Sequence, residues 1–337
     1  MTLAAVFTCH RRGAGALALV MALALALAGA AAAEAPIRPG PQGPERGPYR
    51  EQLWRIPVAD ADGSTRRLLE ALLFRPPGDA RRPLVIVSHG TPRRAEERVG
   101  MRPHWAERVA AFFVAEGYVV IAPMRRGYGR SPGDPDERMP GGCSNPDYVD
   151  VGRRVARQVL AVAEFMQKQA FVAGDKIVLA GQSAGGLASL AAAGENPPGI
   201  VGVVNFAGGR GSRGTDDVCT EDRLVEAMGR FGAGSRVSSI WLYSENDTYF
   251  RPDLARRMHA AYAPGLAANG ARTALHILPP YGQDGHGFAL RAESEAQWHP
   301  PVRDFLATLG AGAVRASVPR LPDTTPRFER VTPGGDR

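Results

Sequence analysis

Residues 176–192, KIVLAGQSAGGLASLAA, constrain the fold more than any other stretch: an apolar run, a glycine-bracketed serine and a small-residue helix former follow one another without a spacer. That order predicts a strand, a sharp turn and a helix. At such a turn Ser183 must sit on a cramped backbone with its hydroxyl lifted clear, and glycines at 181 and 185 remove the Cβ atoms that would collide. A chain with 40 glycines would carry G-x-S-x-G by chance with a probability of roughly 0.2, so the flanks decide the matter. Ile177 to Ala180 supply a buried strand, and Leu187, Ala188 and Leu190 supply a helix face that can approach a sheet closely.

The rest of the chain alternates strand and helix. Residues 51–58 and 65–74 are strand-like runs joined across an Asp-Gly turn, which predicts a hairpin. Continuous apolar strands follow at 83–88, 118–123, 200–206, 239–243 and 273–278, with helices expected at 104–116, 147–169, 221–231, 252–263 and 301–309. Strands buried on both faces between helices imply a mainly parallel sheet covered on both sides. With the elbow strand this makes eight strands, the first two entering as an antiparallel hairpin.

The 337 residues fit one catalytic domain with tails. Residues 1–33 read as a secretory signal peptide: Arg11 and Arg12 form the basic head, 14–28 the apolar stretch, and Ala31 to Ala33 the cleavage site. Residues 34–48 read as a Pro/Gly-rich linker or extended arm, 49–310 as the catalytic domain and 311–337 as a loose tail. Cleavage removes two arginines and no acids, so a formal charge of +7 becomes +5, dispersed among acids and without an aromatic-interleaved basic run. Nucleic acid is therefore not an expected partner, and the mature chain carries no expected membrane span.

Cys143 and Cys219 are the cysteines left in a chain read as exported, and they are expected to pair. The bridge would close a loop of about 76 residues, contributing about 4 kcal/mol on the chain-entropy argument. Neither cysteine has a second His or Cys at ligand spacing, so no metal site is expected.

A serine hydroxyl needs a base, and the base needs an orienting acid. Asp247 lies in SENDT directly after the strand 239–243, and His286 lies in the glycine-flanked loop GQDGHGF after the last strand. Glu245 and Asp253 compete for the acid's place. His259, His276 and His299 compete less well for the base's, since each lies within or against an expected element. The order Ser183, Asp247, His286, each behind a different strand, suits acyl-transfer chemistry on such a sheet. The Ala184 amide, at the head of the elbow helix, and the Thr91 amide, in the turn His89-Gly90-Thr91, are the expected oxyanion donors. His89 is expected to bond structurally.

The set SHGTP, GYVVIAPMRRGYGRS, GQSAG, SENDTY and GQDGHGF resembles the α/β-hydrolase superfamily, in particular its dienelactone-hydrolase-like and prolyl-oligopeptidase-like branches, over roughly residues 50–309. The resemblance implies an α/β-hydrolase fold, a Ser183, His286, Asp247 triad, and Thr91 and Ala184 as oxyanion donors. The chain departs from dienelactone hydrolases in carrying serine rather than cysteine at 183, and Ser244 stands where glycine is more usual.

These readings converge on an exported serine hydrolase acting on carboxylic esters, with no metal or organic cofactor. About 33 residues separate the strands 200–206 and 239–243, room for a small cap at most, so an open cleft and a small or extended ester substrate are expected. Loops 91–104, 131–147 and 207–222 should line it. A peptidase of the prolyl-oligopeptidase type is the first rival and would need a site for a charged peptide N-terminus. A non-catalytic binding member of the fold is the second, and it has no physical need for all three triad groups.

Overall fold

Among the described residues nine strands, each joined to its neighbours by a hydrogen-bonded ladder, form one sheet: β1 (Gly40–Arg46), β2 (Glu51–Ala59), β3 (Arg66–Phe74), β4 (Arg82–Ser88), β5 (Val119–Pro123), β6 (Val172–Gln182), β7 (Ile200–Phe206), β10 (Ser238–Ser244) and β11 (Thr273–Leu278). The computed structural model describes residues 37–60, 63, 65–139 and 141–321, and the expected signal peptide lies outside them. The order across the sheet is β1-β2-β3-β5-β4-β6-β7-β10-β11. β1, β2 and β3 run antiparallel to their neighbours, and every pairing from β5 to β11 is parallel. A separate two-stranded ribbon, β8 (Ser212–Gly214) with β9 (Asp217–Val218), lies in the segment after β7.

This is the α/β-hydrolase architecture the sequence predicts, with one strand more. The ninth, β1, comes from the stretch read as a linker. Its prolines, Pro41 and Pro44, suit an edge position, where one side of the ladder needs no donor. Residues 311–321 form neither helix nor strand, yet they are fastened rather than loose. The Ala316 amide donates to the Ala115 carbonyl at 2.9 Å, Arg82 Nη1 donates to the Val314 carbonyl at 2.9 Å, and the Tyr49 hydroxyl donates to the Pro319 carbonyl.

Among the described residues six α-helices cover the sheet: α1 (Glu107–Ala115), α2 (Tyr148–Gln167), α3 (Ala184–Gly194), α4 (Glu221–Gly234), α5 (Pro252–Ala268) and α6 (Glu295–Thr308). Strand alternation sorts them by face. Along β7, Phe206 packs edge-on against Trp298 of α6 at 5.2 Å, while the neighbouring Asn205 meets Gly186 of α3 on the opposite side. Trp298 also meets Phe112 of α1, so α1 and α6 share one face. Asp147 caps α2 by accepting from the Asp150 amide, as its place before the apolar stripe suggests. α6 starts six residues earlier than expected and runs through Pro300 and Pro301. The buried Trp298 and Val302 on its inner face hold the helical path that two missing N–H groups weaken.

Candidate active site

The elbow is built where β6 hands over to α3. Ser183 has φ 57° and ψ −122°, a left-handed conformation that few non-glycine residues adopt. Backbone bonds hold it there: its amide donates to the Phe206 carbonyl and its carbonyl accepts from the Gly209 amide, each at 3.0 Å. The flanking glycines are required by contact. A Cβ on Gly185 would lie 2.1 Å from the Ser88 carbonyl oxygen, and one on Gly181 would lie 2.2 Å from the Gly185 carbonyl oxygen.

His286 and Asp247 come together beside it. The Asp247 side chain is fully buried, and His286 Nδ1 lies 3.1 and 3.2 Å from its two oxygens. Asp247 Oδ1 also accepts the Tyr249 and Phe250 amides at 2.8 and 2.9 Å, so the carboxylate is fixed by its own loop. With Nδ1–H donating to that carboxylate, Nε2 is left as the basic nitrogen. Tyr249 stacks on the imidazole at 3.9 Å and 7°, and Phe250 meets it edge-on at 5.5 Å. Asp284 links the two loops by accepting from the His286 and Thr248 amides at 3.0 and 3.1 Å. Burial raises the Asp284 carboxyl, but these donors outweigh it and leave the group below its ordinary range. Ser244 ties the same loop inward: its hydroxyl lies 3.1 Å from the Pro279 carbonyl oxygen.

Ser183 and His286 stand at the same end of the sheet, where Gln182 Nε2 donates to the His286 carbonyl at 3.2 Å. No hydrogen bond joins the Ser183 hydroxyl to the imidazole among the described residues, and such contacts are often loose without substrate. The competing groups lie elsewhere. Glu245 is exposed, Asp253 pairs with Arg251, and His259 bonds to Thr273.

The turn after β4 completes the geometry. A Cβ on Gly90 would stand 3.0 Å from that of Ser183, so the His89–Thr91 backbone passes directly against the elbow. Thr91 and Ala184 both line the cavity at Ser183, and Ala184 opens α3, where first-turn amides lack intrahelical partners. His89 is fully buried and structural: Nδ1 meets the Gly90 carbonyl at 2.6 Å, and Nε2 accepts from the Arg125 amide at 3.0 Å. Burial and the Arg125 charge push its imidazole well below the ordinary range.

Beneath this turn lies an ion cluster that sequence reading missed. Glu137 is buried, with Oε1 2.5 Å from Arg125 Nε and Oε2 2.7 Å from Arg210 Nη1. The Thr91 and Tyr128 hydroxyls also donate to Glu137, at 2.5 and 2.6 Å. Arg125 reaches on to the His89 and Gly90 carbonyls. Burial would raise the Glu137 carboxyl, but Arg125 and Arg210 overcome it and hold the group far below the carboxylate range. Arg125, Tyr128 and Glu137 lie in stretches whose glycines and prolines signalled loops, and nothing in their spacing announced a cluster.

The cavity beside Ser183 has a volume of about 200 Å³. Its walls come from Thr91 to Arg93, Arg98, Met139, the segment 209–213, Tyr249 and Phe250, that is, from the expected loops and the acid loop. Cys143 and Cys219 are joined in a disulfide, which ties the segment after β9 to the loop 141–145. Among the described residues no group of three His, Cys, Asp or Glu could hold a metal ion, and no helix is long and apolar enough to cross a membrane.

Solved structures share this architecture at low identity. Acetyl xylan esterase 1 from Thermoanaerobacterium sp. superposes with a TM-score of 0.53 at 14% identity, over 81% of this chain and 89% of that one. The Pyrococcus furiosus esterase Pf2001 gives 0.52 at 13%, over 81% and 98%. Est1E from Butyrivibrio proteoclasticus, bound to ferulic acid, gives 0.53 at 17%, over 75% and 98%. These likenesses concern the fold, and no curated protein matches the chain. Residues 62–274, which hold β3 through β10, the elbow and Asp247, match the X-Pro dipeptidyl-peptidase (S15) family, and the chain belongs to that family of α/β-fold hydrolases.

Proposed function

We propose that the chain is an exported serine hydrolase that cleaves carboxylic esters through an acyl-enzyme intermediate. The observation that carries this reading is Ser183 on its strained elbow, facing a cavity beside a buried Asp247–His286 pair. His286 Nε2 takes the Ser183 proton as the oxygen attacks the ester carbonyl, and the oxyanion is held by the Ala184 and Thr91 amides. Collapse of the intermediate breaks the bond to the alkoxide, which leaves as an alcohol with the proton from His286. Water then surrenders a proton to His286 and attacks the acyl carbon, and the carboxylic acid departs as Ser183 regains its hydrogen. The export reading is supported by the leader-like first 33 residues and by the Cys143–Cys219 disulfide.

Membership of the S15 family favours a second reading, removal of X-Pro dipeptides from peptides. A free peptide N-terminus is cationic and is best met by carboxylates. The cavity walls carry four arginines and no acid among the described residues, which favours esters. The test is turnover of p-nitrophenyl butyrate against Gly-Pro p-nitroanilide, with Ser183→Ala alongside. Ester cleavage should dominate and should fall by on the order of 10⁴-fold or more in the variant. Ester turnover surviving Ser183→Ala would remove the nucleophile assignment, and dominant anilide cleavage would establish the peptidase.

A further inference from the structure

We infer that the cavity beside Ser183 takes a substrate with an anionic group, a carboxylate on the part of the ester lodged there, recognised by Arg93 and Arg98. The inference rests on the hydrolase reading for the bond that is broken, but not for the anion that is bound.

Four arginines line the cavity, and their partners separate them into two pairs. Arg213 is exposed and meets Asp217 at 2.8 Å. Arg210 is committed to Glu137. Glu137 also serves Arg125, so one carboxylate is shared by two guanidinium groups and does not fully balance Arg210 at the cavity wall. Arg93 and Arg98 have no carboxylate partner among the described residues.

Arg93 is nevertheless held in place. Its guanidinium lies 3.5 Å from the Tyr249 ring centroid, and Nη2 donates to Ser212 Oγ and the Gly214 carbonyl at 2.7 and 2.6 Å. All three contacts are neutral, so its orientation is set while its charge stays uncompensated. Tyr249 also stacks on His286, so one ring touches both the Arg93 guanidinium and the imidazole. Arg98 is half-buried, and its Nε is shut off from solvent without a hydrogen-bond partner. Its nearest described aromatic contact is the Tyr128 ring at 5.7 Å. Its two terminal nitrogens have no hydrogen-bond partner among the described residues and, unlike Nε, are open to solvent, so a ligand carboxylate in the cavity can meet them. Guanidinium groups suit this task because their planar fork matches a carboxylate in two parallel bonds. A cavity of about 200 Å³ suits an acyl chain of a few carbons ending in such a group.

The experiment compares kcat/KM for the p-nitrophenyl monoester of adipic acid with that for p-nitrophenyl hexanoate, in the wild type, Arg93→Gln, Arg98→Gln and Arg98→Lys. Arg94→Gln is the control, since Arg94 is exposed, pairs with Glu96 and does not line the cavity. The wild type should favour the anionic ester by about tenfold or more. That ratio should shrink with added salt, approach one in Arg98→Gln, fall in Arg93→Gln, keep an intermediate value in Arg98→Lys and stay in place in Arg94→Gln. A wild-type ratio at or below one overturns the inference, as does a high ratio that survives both glutamine variants. If neither ester is turned over, the hydrolase reading fails separately, and the inference is decided by calorimetry of adipate with the wild-type and Arg98→Gln proteins. Binding that weakens about tenfold in the variant supports the anion site, and absence of wild-type binding overturns it.

Discussion

The elbow and the turn facing it do adjacent jobs by opposite means. Around Ser183, position is enforced by atoms that are missing: Gly181, Gly185 and Gly186 let α3 approach β6, the end of β4 and β7 until a single Cβ would stand 2.1 to 2.2 Å from backbone or side-chain oxygen. Around Thr91, position is enforced by charge, with Glu137 drawn to Arg125 and Arg210 and the Thr91 and Tyr128 hydroxyls bonded to it. Packing of the first kind tolerates no addition. Packing of the second kind tolerates no neutralisation, because each buried ion depends on its partner.

Glu137→Gln should therefore be the most damaging of the supporting changes. It leaves Arg125, whose side chain is 3% exposed, without its countercharge, at a cost of about 3–5 kcal/mol in denaturant titration. Acid unfolding sharpens the test. The Glu137 carboxyl is depressed in the folded protein, so its contribution is complete above the ordinary value of 4.5 and is lost as pH falls below it. The wild type should lose stability on that limb more steeply than Glu137→Gln.

Gly185→Ala should cost about 1–3 kcal/mol, since the Ser88 carbonyl cannot retreat without moving β4. Its acid limb should keep the wild-type slope, and a changed slope would break the separation of the two regions. Tyr128→Phe is the smallest perturbation, removing one donor to Glu137 while keeping the ring on His89, and should cost about 0.5–1.5 kcal/mol in the same titration. A loss as large as that of Glu137→Gln would show that the hydroxyl, rather than the ion pairs, governs the cluster.

The two regions also differ in how readable they were. Gly181, Ser183 and Gly185 act within five residues, so the requirement for a sharp turn is written in consecutive letters. Asp247 and His286 could be proposed because each follows an apolar strand in a polar or glycine-flanked loop. Glu137 and Arg210 are 73 residues apart, and neither sits in a pattern that separates a structural ion pair from a solvated charge. β1 escaped for a related reason: an edge strand needs only one partner, and its Pro/Gly-rich sequence resembles a loop's.

By itself the sequence determined the alternation of strands and helices, the parallel sheet, the elbow and the strand ends from which an acid and a histidine could come, because these follow from local periodicity and backbone sterics. The tertiary structure alone decided that Asp247, rather than Glu245 or Asp253, meets His286, that Glu137 braces the turn at Thr91, and that Arg93 and Arg98 line the cavity with no carboxylate partner among the described residues. Charge acts through space over a few ångströms whatever the separation along the chain, so its partners are settled only once the sheet has brought the loops together.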